Sequence, residues 1–308
     1  MKLGLWIPAY DKKPLEKTLE RYAQVERDGF ASAWMPQMFG PDALTTLALV
    51  GGVTSRIEVG TSVVPTFPRH PVTLAQQAMT TQAATGGRLA LGLGLSHQIV
   101  IEGMLGLSYQ KPARHMREYL TIVRSLRDTG SASFEGETYR VNANARVAEC
   151  KPFPIIVAAL GPRMLEIAGE IGDGTITWMV GPETLAKHIV PGISRSAAAA
   201  GRPSPRVVAA LPVCVTDDAA EARETAGKAF AIYGGLPSYR AMLDREGAEG
   251  PADVALAGNE NEVRDALKRM ADGGATDFGA AIFPSGTDAD ASESRTYDFL
   301  ASLGGKLS

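Results

Sequence analysis

Apolar residues along this chain alternate between two rhythms. Short, nearly continuous runs of aliphatic and β-branched residues occupy 3–7, 31–36, 57–64, 89–94, 155–160, 174–178, 207–213 and 278–283. Between them, apolar residues recur three to four apart at 15–27, 42–54, 72–85, 112–128, 164–171, 183–200, 219–230 and 260–271. A run without polar alternation is what a strand covered on both faces looks like, and the longer period is that of a helix with one buried side. Eight strands and eight helices in alternation predict an α/β chain built on a parallel sheet. At 308 residues the count fits a (β/α)8 TIM barrel with insertions better than a doubly wound sheet of five or six strands.

Three intervals are longer than a plain β/α unit needs: 95–111 after strand 4, 130–154 before strand 5, and 233–259 after strand 7. The second contains Phe134-Glu135-Gly136-Glu137-Thr138-Tyr139, whose β-type residues flank a glycine turn, and it predicts a small hairpin. The run Ala197 to Ala200 reads as a helix end, with Gly201 as its cap and Pro203 as a stop. No stretch of Pro, Ser or like charge divides the chain, so one domain, 1–308, is expected.

Composition removes several classes. With 34 acids, 31 bases and a net charge of -3, the chain lacks the basic surplus of a nucleic-acid binder, and 45% hydrophobic residues are too many for a disordered one. No apolar stretch approaches the eighteen or so residues of a membrane helix, and 3–7 is too short for a signal-peptide core, so a cytoplasmic location is expected. Cys150 and Cys214 make no metal-type cluster and read as small buried hydrophobes.

In a barrel of this kind the chemistry sits where the strands end, which directs attention to a few residues. Pro8-Ala9-Tyr10 follow strand 1, Gln37-Met38-Phe39 strand 2, Leu95-Ser96-His97 strand 4 and Gly161-Pro162-Arg163 strand 5, while Trp178-Met179 close strand 6. His97, with an ordinary pKa of about 6.5, is a candidate proton donor or acceptor; the alternative is a loop histidine with a structural bond. His70, beyond strand 3, is a weaker candidate, and Gln37 could bond a ligand without taking a proton. Gly92-Leu93-Gly94-Leu95-Ser96-His97 begins like a dinucleotide-binding motif but has His where the third glycine belongs. Nucleophile-elbow, Walker, His-Glu-x-x-His and clustered Cys/His sequences are missing, which disfavours serine hydrolase, nucleotide hydrolase and structural zinc readings. The strand-5 turn is a plausible phosphate site: free N–H groups and the dipole at a helix start favour an anion, Gly161 permits close approach, and Arg163 could add charge.

Several stretches, taken together and in order, resemble the luciferase-like monooxygenase superfamily, within it the branch of oxidoreductases that use coenzyme F420, including the methylenetetrahydromethanopterin reductases. They are Gly29-Phe30-Ala31-Ser32-Ala33-Trp34, Gly60-Thr61-Ser62-Val63, Gly87-Arg88-Leu89-Ala90-Leu91-Gly92-Leu93-Gly94, Ala158-Ala159-Leu160-Gly161-Pro162 and Ala168-Gly169-Glu170-Ile171-Gly172-Asp173-Gly174. The resemblance implies a barrel with the deazaflavin across the strand ends, hydride transfer to or from a small organic substrate, and a homodimer packed through the early helices. It places Ser62-Val63 at a strand-3 bulge with a non-proline cis peptide behind the deazaflavin ring, and Leu95 and Ser96 beside that ring. It puts Ala159, Leu160, Gly161, Pro162 and Arg163 at the phosphate end, and Trp178 at the pocket edge. His97 and Gln37 are then the catalytic candidates. The sugar-phosphate dehydrogenases of the branch carry a histidine after strand 2 and a glutamate after strand 4, where this chain has Met38 and His97, so their substrate is not implied. Two other expectations stand beside this one: an FMN-dependent monooxygenase on the same barrel, and a flavin- or deazaflavin-binding protein without turnover.

Overall fold

The computed structural model describes residues 1–8, 14–37, 39–148 and 150–307. Its frame is eight strands: β1 (Lys2–Trp6), β2 (Ser32–Met35), β3 (Glu58–Thr61, resumed at Val64–Pro65), β4 (Leu89–Gly94), β5 (Ile155–Ala158), β6 (Gly174–Trp178), β7 (Arg206–Val215) and β8 (Asp277–Ile282). Each pairs in parallel with the next. Lys2 against Asp277 joins β8 to β1 and closes the (β/α)8 barrel.

The strands alternate two buried faces. In β1, Leu3 and Leu5 point outward to the helices, whereas Trp6 joins the inner cluster. The middle of the barrel is filled by Trp34, ringed by Ala90, Ile156, Ile176 and Val208. Gly60 makes that possible, because a Cβ there would sit 2.3 Å from the Trp34 ring. Below this layer, Arg206 of β7 bonds Asp277 of β8 at 2.5 and 2.8 Å and reaches Glu58 of β3 at 3.0 Å, crossing the barrel floor. Above it lie Trp6, Val63 and Ala158.

Local chemistry sets the helix ends. Asp42, Asp218, Asp288 and Asn259 each accept first-turn N–H groups with their side chains. Gly130 ends the helix Pro112–Thr129 with φ 73°, a left-handed conformation natural to glycine. From the helix Leu15–Arg27, Glu26 collects the N–H groups of Ser55, Arg56 and Ile57. The predicted hairpin is present as Ser131–Glu135 against Arg140–Asn144, and Glu118 binds its turn through the N–H groups of Glu137, Thr138 and Tyr139.

Three departures from the sequence reading have physical causes. The eighth outer helix is Ala289–Ser302, unpredicted because its first turns are polar; the predicted helix at 260–271, observed as Glu260–Asp272, belongs to the long β7–β8 connection. The helix expected over 183–200 contains a wide π turn, Leu185–Ile189, just ahead of Pro191, which has no N–H to return to the preceding turn. A three-residue strand, Leu256–Gly258, pairs with the end of β7 at Val213–Val215 and is too short for any period to reveal.

Candidate active site

The outer ends of β3 and β4 are shaped together. The Ser62–Val63 peptide is cis, at the position the resemblance gave it. Gly92 and Gly94 of β4 leave room for this bulge: a Cβ on Gly92 would meet the Thr61 carbonyl oxygen at 1.8 Å, and one on Gly94 would meet a Val63 methyl at 2.5 Å. Beyond β4, Ser96 has φ 61°, and beyond β6, Met179 has φ 56°. Left-handed backbone in residues with a Cβ is costly, and it recurs at sites where geometry serves a ligand. Ser96 is held in place by the Tyr109 hydroxyl, which donates to its carbonyl at 3.3 Å.

Among the described residues, the polar groups buried at this end without protein partners include the Ser62 hydroxyl and the indole N–H groups of Trp6 and Trp178. An unpaired buried polar group costs about 1–3 kcal/mol, and such groups are rare enough to mark places where something else bonds. The polar edge of a flavin-type ring is a group of the right chemistry.

An aromatic wall rises on the opposite side. Trp6 meets Trp178 edge-on at 4.3 Å, and Trp178 meets Phe230 at 5.7 Å and Tyr233 at 5.8 Å. Tyr233 meets Tyr239 at 5.2 Å, and Tyr239 meets the His97 ring at 5.7 Å. The ends of β1, β4 and β6 and the β7–β8 connection thus share one surface. Among the described residues no group hydrogen-bonds the His97 imidazole, and burial pushes its pKa below the ordinary 6.5. A lowered pKa favours its neutral form.

The β5 turn is built as an anion site would be. Thr175 donates to the carbonyls of Val157 and Ala159, the His188 Nε2 lies 2.8 Å from the Leu160 carbonyl, and Gly161 is the extended N-cap of the helix Pro162–Glu170. A Cβ on Gly161 would meet nothing within 4 Å, so the helix start faces open space. Arg163 departs from its expected role. It is largely exposed and bonds the Glu166 carboxylate at 2.6 and 2.7 Å, as an i,i+3 pair on its own helix does, so it adds no free charge to the turn.

His97, Trp178, Leu95 and Ser96 are therefore on the barrel mouth, with Ser62 and Val63 in its floor. The other candidates have structural duties in view. The Gln37 Oε1 accepts the Ala43 N–H at 2.7 Å and so braces the start of the helix Ala43–Val50. His70 is a helix N-cap whose Nδ1 accepts the Val72 N–H. Met38, Ala9 and Tyr10 lie outside the described residues. Trp6 was missed by sequence reasoning; its signal was the period of two that turns it inward with Gly4 while Leu3 and Leu5 turn outward.

A profile described as luciferase-like monooxygenase matches residues 1–297. The chain belongs to the luciferase-like monooxygenase family. A Mycobacterium tuberculosis protein provisionally named a coenzyme F420-dependent oxidoreductase is 31% identical over 302 residues, covering 92% of this chain and 85% of that protein. The coenzyme F420-dependent tetrahydromethanopterin reductase of Methanopyrus kandleri superposes with a TM-score of 0.78 at 22% identity, over 99% of this chain and 98% of the other. The oxygenating component of 3,6-diketocamphane monooxygenase from Pseudomonas putida, in complex with FMN, gives 0.77 at 15% identity, with 99% and 98% covered. At those identities the two structures speak for the fold alone.

Proposed function

We propose that this member of the family is an F420-dependent oxidoreductase that transfers a hydride between the deazaflavin and a small organic substrate. The observation that carries the reading is the His97 imidazole on an aromatic wall, with no hydrogen-bond partner among the described residues, beside a mouth where the Ser62 hydroxyl and the indole N–H groups of Trp6 and Trp178 are buried without one. The name of the Mycobacterium tuberculosis relative supports F420 over FMN. Ser62, Val63, Leu95 and Ser96 would hold the ring, and the backbone N–H groups of Ala159, Leu160 and Gly161, with Pro162 opening the helix behind them, would hold the phosphate end. When bound, the deazaflavin supplies the hydride chemistry.

The chain's own residues do the rest. The wall from Trp6 to Tyr239 keeps water from the reacting face. His97 gives a proton to, or takes one from, the substrate oxygen or nitrogen as the hydride moves. Gln37 keeps the β2 end in register through its bond to Ala43. We further propose a cytoplasmic homodimer packed through the early helices, where Leu49 and Val53 are each 46% exposed. Among the described residues no helix is long and apolar enough to cross a membrane.

The test is a pair of titrations of the purified protein, one with F420 and one with FMN, followed by coenzyme fluorescence. Micromolar or tighter binding of F420, with FMN ignored, is expected. The reverse result would replace this reading with an oxygen-using FMN enzyme, and binding of F420 without hydride transfer to any acceptor would leave a carrier protein.

A further inference from the structure

The helix Pro112–Thr129 starts against the usual order of charge. A helix N-terminus carries partial positive charge and favours acids, and four other helices of this barrel begin on Asp or Asn caps. Here the N-cap is Lys111, no side chain accepts a first-turn N–H, the first turn holds no acid, and Arg114 lies within it. Arg117 follows one turn further. The helix Pro162–Glu170 repeats the arrangement, with Gly161 offering no side chain as a cap, no acid in the first turn, and Arg163 inside it. Both helix starts open on one cleft of about 640 Å³, lined by Lys111, Arg114, Arg117 and Arg163 together with the acids Glu118 and Glu137.

The acids around the cleft are unevenly shared. Arg163 pairs with Glu166 at 2.6 Å and Arg117 with Glu170 at 2.6 Å, one carboxylate for each cation. Glu118 engages both oxygens with three N–H groups of the hairpin turn, whose partial charges offset its own. Lys111 and Arg114, in contrast, both pair with the single carboxylate of Glu137, and among the described residues neither has another. One positive charge is left over, beside two helix N-termini. The Lys111 and Arg114 side chains are 62% and 51% exposed, so sharing Glu137 adds little to the stability of the fold. Cations that oppose the helix dipole and lack a full counter-charge are a local conflict, and such conflicts collect at functional sites.

We propose that this cleft is an anion site that takes carboxylates carried by the coenzyme beyond its phosphate. The inference rests on the F420 reading above, in which the Gly161 turn holds that phosphate. Arg163 lies two residues past Gly161 and on the wall of the cleft, so the turn and the cleft are neighbours. FMN ends at its phosphate, whereas F420 continues from it as a phosphodiester that bears a chain of glutamates. A carboxylate of that chain supplies the counter-charge that Lys111 and Arg114 do not both receive from Glu137, and it lies where the two helix dipoles favour it. The cleft is then a means of telling F420 from a flavin without contact to the ring.

The purified protein is titrated with F420 species carrying no, two or five glutamates, at low and at high salt, and followed by coenzyme fluorescence. An exposed ion pair contributes up to about fivefold in affinity, so the species with two glutamates is expected to bind about tenfold more tightly than the one with none, and high salt is expected to remove that gain. In the double variant Lys111→Ser, Arg114→Ser the gain is expected to shrink to about twofold or less while the species without glutamates binds as before. Glu137→Gln, which releases both cations, is expected to widen it. Affinity independent of the number of glutamates, or a gain that survives in the double variant, would overturn the inference. An equal loss for all three species in the double variant would do the same, since the cations would then serve the phosphate or the fold alone. The two readings fail differently: FMN bound with every F420 species ignored would sink the coenzyme assignment and this inference with it, whereas F420 species bound all alike would sink this one only.

Discussion

Two histidines illustrate how partners decide a residue's role. His115 is 3% exposed, stacks on Phe67 at 3.9 Å, and has both ring nitrogens engaged, Nε2 with the Thr66 hydroxyl at 2.9 Å and Nδ1 with that of Tyr139 at 3.4 Å. Burial pushes its pKa down to about 4, and its bonds fix it as a strut behind the β3 end. His97 is also lowered by burial but has no bonded ring partner among the described residues. A lowered pKa puts the midpoint of protonation on the acid side of 6.5, so where His97 takes the proton, in the direction of substrate oxidation, the activity limb falls as pH drops through that midpoint. Replacing His97 by Asn is expected to cut turnover by about a hundredfold or more and to abolish the acid limb, while F420 still binds. A pH profile of kcat on both forms checks this; an unchanged limb in the variant would remove the proton role. Gly161 gives a second test, because its φ of -78° and open surroundings allow a side chain without strain. Gly161→Trp is expected to weaken coenzyme binding more than tenfold while leaving thermal stability nearly unchanged, which calorimetry and fluorescence titration would separate.

At the scale of elements, what could be read depended on whether a local pattern existed. β4 and β6 were legible to the residue, because Leu89–Gly94 and Gly174–Trp178 are apolar runs bounded by turn residues. The break in β3 was not legible from period, since Ser62 and Val63 continue the run and only the resemblance marked them. The site was legible where a residue's distance from a strand end fixed its place, as with His97, Ser96 and Trp178. It failed where a side chain had a choice of partners. Arg163 could turn to the anion site or to Glu166, and the carboxylate one turn along its own helix was nearer. Gln37 accepts the N–H of Ala43, a bond that no local pattern announces. The aromatic wall was half legible: Tyr233 and Tyr239 could be assigned to the insertion, but their contact with His97 arises from the return of the β7–β8 connection over the mouth.

The whole molecule divides stability and chemistry between the two ends of the barrel. Its floor is closed by Arg206, which lies over the Trp34 ring at 5.5 Å and ties β3, β7 and β8 through Glu58 and Asp277. Asp277 is 2% exposed, so removing its cation would leave a carboxylate buried without a counter-charge, a change that costs about 3–5 kcal/mol. The mouth is separated from this triad by the layer of Trp34, Ala90, Ile156, Ile176 and Val208, against which Val63 packs from the mouth side. Arg206→Met is therefore expected to lower the unfolding free energy by about 3 kcal/mol while the Kd for F420, measured well below the new melting temperature, stays within about twofold. A double substitution with Asp277→Leu should restore part of the loss, because the penalty comes from the stranded charge rather than from the missing pair. Denaturant titration of the two variants and the unsubstituted protein measures the first effect and fluorescence titration the second. Coenzyme affinity that fell in step with stability would mean that the floor shapes the mouth through the Trp34 layer, and the two ends of this barrel would have to be treated as one cooperative unit.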